Sequence, residues 1–198
     1  MQQFETNNYA VLCGMPAAEP ELSHVSRGER FYRLALRVER LSGAADCLNV
    51  IVRERLLPAS GGRLSVEGEI RSFNNKSGVG ARLVIVLFAR SVRPEPSAPD
   101  ENLVRLTGTL CKQPVLRVTP RGRKICDLMV AVNRRFARSD YLPCIVWGEQ
   151  AERAAQWGVG NVVSLQGRFQ SRAYRKQTET GAETRTAYEI SVREIELM

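Results

Sequence analysis

One half of this chain is a copy of the other, and that limits what it can fold into more than any other feature. Shifted by 94 residues, "NYAVLCGMPAAEPEL" lies over "NLVRLTGTLCKQPVL", and Asn8, Leu12, Gly14, Pro20, Leu22, Arg27 and Gly28 meet identical residues. The same shift matches Leu34, Val38, Arg40, Asp46, Leu48, Ile51 and Val52 to Leu128, Val132, Arg134, Asp140, Leu142, Ile145 and Val146. Fourteen identities thus fall in the 45 ungapped positions 8 to 52, more than unrelated sequences of this composition give. After a further offset of five residues, "SVEGEIRS" pairs with "SLQGRFQS". A chain of 198 residues has room for two domains of about 100. Between the copies, "RPEPSAPDE" carries three prolines, which read as an extended, semi-rigid linker rising about 3.1 Å per residue. The expected division is residues 1–92, a linker 93–101, and residues 102–198.

Each copy reads as β-structure. In the second, β-forming runs over 102–110, 124–134, 141–147, 161–174 and 186–196 are bounded by turn residues. A helical segment, "EQAERAAQW", follows the third strand; Ala151, Ala154 and Ala155 form its apolar side, and Glu149 stands four residues before Arg153. The first copy has only "ERLLPAS" there, and Pro58 limits any helix to about a turn. Five strands with a helix between the third and fourth predict a small Greek-key barrel of the OB type. The fold class expected is all-β with a minor helix: two tandem five-stranded OB-fold barrels.

The stretch "DYLPCIVWG" points to function. On a strand, Leu142, Cys144 and Val146 share one face, while Tyr141, Pro143, Ile145 and Trp147 share the other. One apolar face suffices for a half-buried strand. In "NVVSLQGRFQSRAYR", Val163, Leu165, Phe169 and Ala173 read as core, opposite Gln166, Arg168, Gln170, Arg172 and Tyr174. Phe136 sits in a basic hairpin tip beside Arg134 and Arg135. An isolated ring on a strand's second face more often packs on a loop or a partner chain. Four rings among arginines instead suit a single nucleic-acid strand, whose bases stack on rings at about 1–3 kcal/mol each while cations follow the phosphates. Candidate binding residues are Phe136, Tyr141, Trp147, Tyr174, Arg134, Arg135, Arg168 and Arg172. Phe73 and Lys76, in the Asn/Gly/Ser-rich turn "SFNNKSGVGARL", are further candidates, as a solvated hairpin or as strand contacts.

Composition narrows the alternatives. A net charge of +8 and a pI near 9.7 favour polyanionic partners. Cys13, Cys47, Cys111, Cys126 and Cys144 form no CxxC pair, which argues against a disulfide framework or a zinc site and for reduced thiols in a cytoplasmic protein. No segment has signal-peptide or membrane-spanning character, so no membrane partner is expected. His24, the lone histidine, falls in what reads as a turn; no GxxxxGK[ST] loop occurs, and the carboxylates are scattered rather than grouped for metal ions. No enzyme activity, metal or cofactor is expected.

The pattern "NLVRLTGTL…P.LR.T..GRKICDLMVAVNR…DYLPCIVWGEQAERAA…GNVVSLQGRFQSRAY" resembles bacterial single-stranded-DNA-binding proteins across 102–196. The first copy resembles them more loosely, through "NNYAVLCG", "GERFYRLALRVER", "DCLNVIV" and "GRLSVEGEIRS". That resemblance implies an OB fold with four stacking aromatics, matching Phe136, Tyr141, Trp147 and Tyr174. It implies roles in DNA replication, repair and recombination, and a homodimer in which four folds imitate the family's tetramer. The first copy serves as an internal control. At the four aromatic positions it carries Ser42, Cys47, Arg53 and Asn75, and at that of Arg168 it carries Glu69, a negative charge where a phosphate would pass, yet it keeps Leu48, Val50 and Val52 on the core face. The sequence also ends at "REIELM", without the acidic, Phe-terminated tail through which the family recruits repair partners. Two other readings remain open. One is a replication-restart or mobile-element accessory factor with the first fold as a protein-contact module; the other is a single-stranded RNA binder.

Overall fold

The computed structural model describes residues 7–59, 61–75, 82–178 and 181–198. Lys76 lies outside them. Alternating apolar residues make the strands of the first repeat: β1 (Asn8–Pro16), β2 (Glu21–Ser26), β3 (Glu29–Glu39), β4 (Ala45–Arg53), β5 (Leu64–Asn74) and β6 (Leu83–Pro94). The second repeat follows with β7 (Glu101–Leu110), β8 (Val115–Val118), β9 (Lys124–Arg134), β10 (Arg138–Trp147), α1 (Glu149–Ala154), β11 (Val162–Thr178) and β12 (Gly181–Leu197). At the place of α1 the first repeat has a single 3₁₀ turn, Glu54–Leu56, stopping before Pro58. Each repeat holds the five expected strands plus one short extra strand, β2 or β8.

Strand order alone left closure open. Pairing settles it. β1 pairs β5, β5 pairs β6, β6 pairs β4 in parallel, β4 pairs β3, and β3 returns to β1 at Met15↔Arg37. The second repeat closes the same ring through β7, β11, β12, β10 and β9. Glycine makes the last contact possible. A side chain at Gly14 would run into the Arg37 carbonyl, and one at Gly108 into the Ala131 carbonyl, where the first strand crosses the third. Inside, Leu48, Val50 and Val52 of β4 and Leu142, Cys144 and Val146 of β10 are buried in one cluster shared by both repeats. Burial pushes the Cys144 thiol up from its ordinary range.

β1 and β7 pair antiparallel, with Asn8↔Leu106 mirrored by Leu12↔Asn102 about Ala10↔Val104, so a pseudo-two-fold axis relates the barrels. Two buried aspartates reinforce the junction. Asp46 on β4 accepts from Arg40 (Nε, 2.7 Å) and from the Ser171 backbone N–H of the other repeat (2.8 Å). Asp140 on β10, the repeat partner of Asp46, accepts from Arg134 (3.3 Å), Arg71 (3.1 Å) and the Ser72 backbone N–H (2.8 Å). The Pro-rich stretch is tied down. β6 runs through Pro94, Glu95 N–H donates to Arg63 O (2.9 Å), and Arg63 bonds Ala98 O (2.6 Å) and pairs with Asp100.

Three local expectations change. His24 lies in β2, paired with β3, rather than in a turn, because the glycine turn comes later, at Gly28. β11 and β12 are longer than the runs 161–174 and 186–196, pairing out to Thr178↔Gly181. Ala173 is exposed and Gln170 is buried (7%). The reason for both is that the hairpin arms run past the barrel core, whereas Gln170 is covered where it donates to the buried Glu189 (2.8 Å).

Candidate nucleic-acid interface

The outer face of the second barrel carries the residues that the sequence singled out. Tyr141 and Trp147 alternate with buried neighbours on β10, and both rings stay exposed, at 49% and 37%. They stand six positions apart, roughly 20 Å along a strand at about 3.3 Å per residue. Trp147 Nε1 donates to Ser191 Oγ of β12 (3.2 Å), which fixes the indole against the sheet. Arg168 of β11 lies opposite Ser191, whose register partner on β10 is Ile145, and the indole of Trp147 reaches back two residues to Ser191.

Phe136 occupies the three-residue turn between β9 and β10. It adopts φ +63°, followed by Ala137 at +51°, and its ring is 93% exposed. A bulky residue in the left-handed region is strained. Strain together with near-complete exposure offers the fold nothing, and such outliers gather at functional sites. On the β11 arm the half-buried Tyr174 lies under Arg172, whose Cζ is 6.0 Å from the ring centroid, a cation–π arrangement. Arg172 also faces Glu189 at 3.5 Å.

The arginines divide into two groups. Arg135 and Arg168 make no ion pair among the described residues, so their charges are available to a ligand. Arg134 instead turns to the buried Asp140 and belongs to the repeat junction. Phe73, at the end of β5, is 44% exposed on the first repeat. No group of three or more His, Cys, Asp or Glu that could hold a metal occurs among the described residues.

Ser191 and Glu189 escaped the sequence reading. Ser191 anchors the indole, and Glu189 orders Gln170 and Arg172. Ser191 reaches Trp147 only through the parallel pairing of β10 with β12, a contact between strands distant in sequence that no local pattern signals, whereas Glu189 meets Gln170 across the β11–β12 hairpin. The first repeat also reads differently once folded. Glu69 is bracketed by Arg71 and Arg90, so the negative charge expected to repel a phosphate there is neutralised.

Comparison with known proteins agrees with this architecture. Residues 101–198 match the model of the single-strand binding protein family. A single-stranded DNA-binding protein of Clostridium tetani is 37% identical over 86 residues, 40% of this chain and 59% of that protein. One from Bacillus cereus is 39% identical over 83 residues, 38% of this chain and 49% of that protein. The chain thus spans about half the length of such relatives. Single-stranded DNA-binding protein 3 of Clostridium acetobutylicum is 35% identical over 104 residues, covering 49% of this chain and 70% of that protein. The fold of both repeats recurs in the crystal structure of wild-type single-stranded DNA binding protein from Thermus aquaticus. That structure has a TM-score of 0.77 at 22% identity, and the match covers 96% of this chain and 92% of that one. This chain belongs to the single-strand binding protein family.

Proposed function

We propose that the protein binds single-stranded DNA without catalysis and with little sequence preference, mainly across the outer face of its second barrel. Bases stack on Phe136, Tyr141, Trp147 and Tyr174, while Arg135, Arg168 and Arg172 neutralise phosphates. The observation that carries this reading is the set of rings left on a solvent-facing surface beside Arg135 and Arg168, which make no ion pair among the described residues. Each base offers a π-face, so stacking of this kind is tolerant of sequence. The kinship with proteins named for single-stranded DNA binding supports the same ligand. Arg134 takes a lesser part, because Asp140 already holds it. Two chains associate in this proposal, bringing four barrels to one strand, and light scattering with and without DNA reads that state.

Titration of a fluorescent oligothymidine, the matched duplex and the matched RNA tests the ligand. The expected order is single-stranded DNA well ahead of duplex, because paired bases cannot reach the rings. Equal affinity for duplex would reduce the site to a basic surface, and a preference for RNA would move the function to transcripts.

A further inference from the structure

The outer face of the first barrel is not simply a copy that has lost its rings. Registers that match between the repeats place Val86 of β6 where β12 has Glu189, and Phe88 where it has Ser191. Two polar positions of one barrel are therefore apolar in the other. Phe31, Ile51 and Val86 form a cluster outside the barrel core, with Val84 and Phe88 packed against it. Closure of the ring does not call for this cluster, since the second barrel closes with a carboxylate and a hydroxyl at two of its positions.

The cluster borders a cleft of about 440 Å³, within the range of roughly 300–1,000 Å³ usual for binding pockets. Ile51, Val84 and Val86 line it together with Phe31 and Phe88, Phe73 stands at its exposed edge, and β2 supplies Ser23, His24 and Ser26. The rings of Phe31 and Phe88 are already engaged. His24 stacks on Phe31 at 4.7 Å with an interplanar angle of 2°, and Arg53 Cζ lies 5.9 Å from the Phe31 centroid and 5.8 Å from that of Phe88. A base needs an open π-face, and its polar edge would here meet aliphatic groups that cannot hydrogen-bond, at a cost in free energy. A leucine or phenylalanine side chain brings no polar edge.

Guanidiniums outnumber carboxylates around the cleft. Arg71, Arg90 and Arg134 share Glu69 and Asp140, while Arg53 and Arg55 share Glu29. One wall of the cleft is also an open sheet edge. β2 stands at the end of the strand order, so its far side pairs with no strand among the described residues, and it carries none of the prolines or lysines that block such an edge. An extended chain can add to an open edge, its backbone giving affinity and its alternate side chains entering a pocket. We propose that this cleft docks an extended acidic segment of a partner protein, paired along β2 with an apolar side chain seated on Val84 and Val86. Carboxylates on the segment answer the guanidinium surplus. Docking here is independent of strand binding by the second barrel.

The test uses the full chain and a fluorescein-labelled peptide of ~10 alternating Asp and Leu residues with both ends capped, long enough for one strand. Anisotropy is expected to show binding that weakens at least about 10-fold when Lys replaces Asp, when Ala replaces Leu, or when alternate backbone nitrogens are methylated to block pairing along β2. Val84→Glu, which sets a carboxylate in the cleft, is expected to weaken the peptide by a similar factor, while an oligothymidine of ~8 nucleotides binds within about 2-fold of the parent protein. If Val84→Glu fails to fold, Phe73→Ala decides, with loss of peptide affinity expected. Equal binding of the Lys, Ala or methylated versions, or no peptide binding by the parent protein, would overturn the proposal. Displacement of the peptide by saturating oligothymidine would overturn it too and give the cleft to the nucleic-acid strand. Peptide binding by a parent protein that binds no oligothymidine would uphold the cleft and remove the second-barrel reading.

Discussion

Set side by side, the two barrels differ least where they are buried and most where they meet solvent. Leu48, Val50 and Val52 repeat as Leu142, Cys144 and Val146, and the glycines that close each ring recur as Gly14 and Gly108. Even the junction is duplicated, with Asp46 and Asp140 each reaching a serine N–H of the opposite repeat. On the outer faces, Tyr141 and Trp147 of one barrel correspond to Cys47 and Arg53 of the other, while Phe31 and Phe88 correspond to Ile125 and Ser191. Packing punishes the loss of a methylene inside a barrel. It places no such demand on the outer face, so that surface is free to diverge after duplication. Under the proposed function, what survives there answers to the strand.

The comparison predicts its largest effect at the part that has not diverged. Asp46→Ala and Asp140→Ala each leave buried guanidinium and N–H groups unanswered and should lower stability by about 3–5 kcal/mol, as when one partner of a buried pair is removed. Urea unfolding of both variants reads this. If one proves costly and the other neutral, the junction is not the symmetric device that its geometry suggests.

Next come the rings. Trp147→Ala and Tyr141→Ala should each weaken oligothymidine binding by about 1–3 kcal/mol without lowering the melting temperature much. Arg53→Ala, at the Trp147 position of the first barrel, should change affinity less. Variants that melt early yet bind like the parent would show that the exposed rings serve packing.

Phe136→Gly separates strain from function. Glycine accepts the left-handed conformation, so the roughly 1–2 kcal/mol that a side chain pays there is relieved, partly offset by about 0.5–1 kcal/mol of glycine flexibility. Stability should hold or rise while affinity for the strand falls. A parallel loss of both would mean that the ring packs in solution after all. Its counterpart in the first barrel, Ser42, should be indifferent to Gly.

The smallest effect is electrostatic. Arg168→Gln should lower the slope of log K against log salt by about 0.7, the value for one phosphate on a single strand. Arg90→Gln in the first barrel should have a weaker effect, because Arg90 already shares Glu69 with Arg71. Equal slopes for the two variants would place the strand equally on both barrels.

Much of this molecule was legible before folding because duplication and alternation are local signals. The 94-residue shift implied two like domains, and a period of two placed Tyr141 and Trp147 opposite Leu142, Cys144 and Val146. Pro58 kept the first repeat from forming the helix of the second. Other features had no local signature. Gln170 alternates as an outward residue yet is buried, because Glu189 arrives from β12 to cover it. Arg134 reads as a phosphate contact within a basic tip, but the fold aims it at Asp140. Glu69 reads as a repelling charge, but Arg71 and Arg90 close around it.

The amino-acid order by itself determined the repeat, the strands, their core faces and the aromatic set of the second barrel, since each depends on neighbours a few residues away or on direct self-comparison. Only the tertiary structure decided that β3 returns to β1 to close each barrel, which arginines keep their charge free, and that Phe31, Phe73 and Phe88 share a cleft. Those three rings belong to β3, β5 and β6, and the pairing of β4 with both β3 and β6 brings Phe31 and Phe88 onto one face. Strand adjacency in a Greek-key barrel is a long-range choice made by burial and hydrogen bonding together, so no short window of sequence contains it.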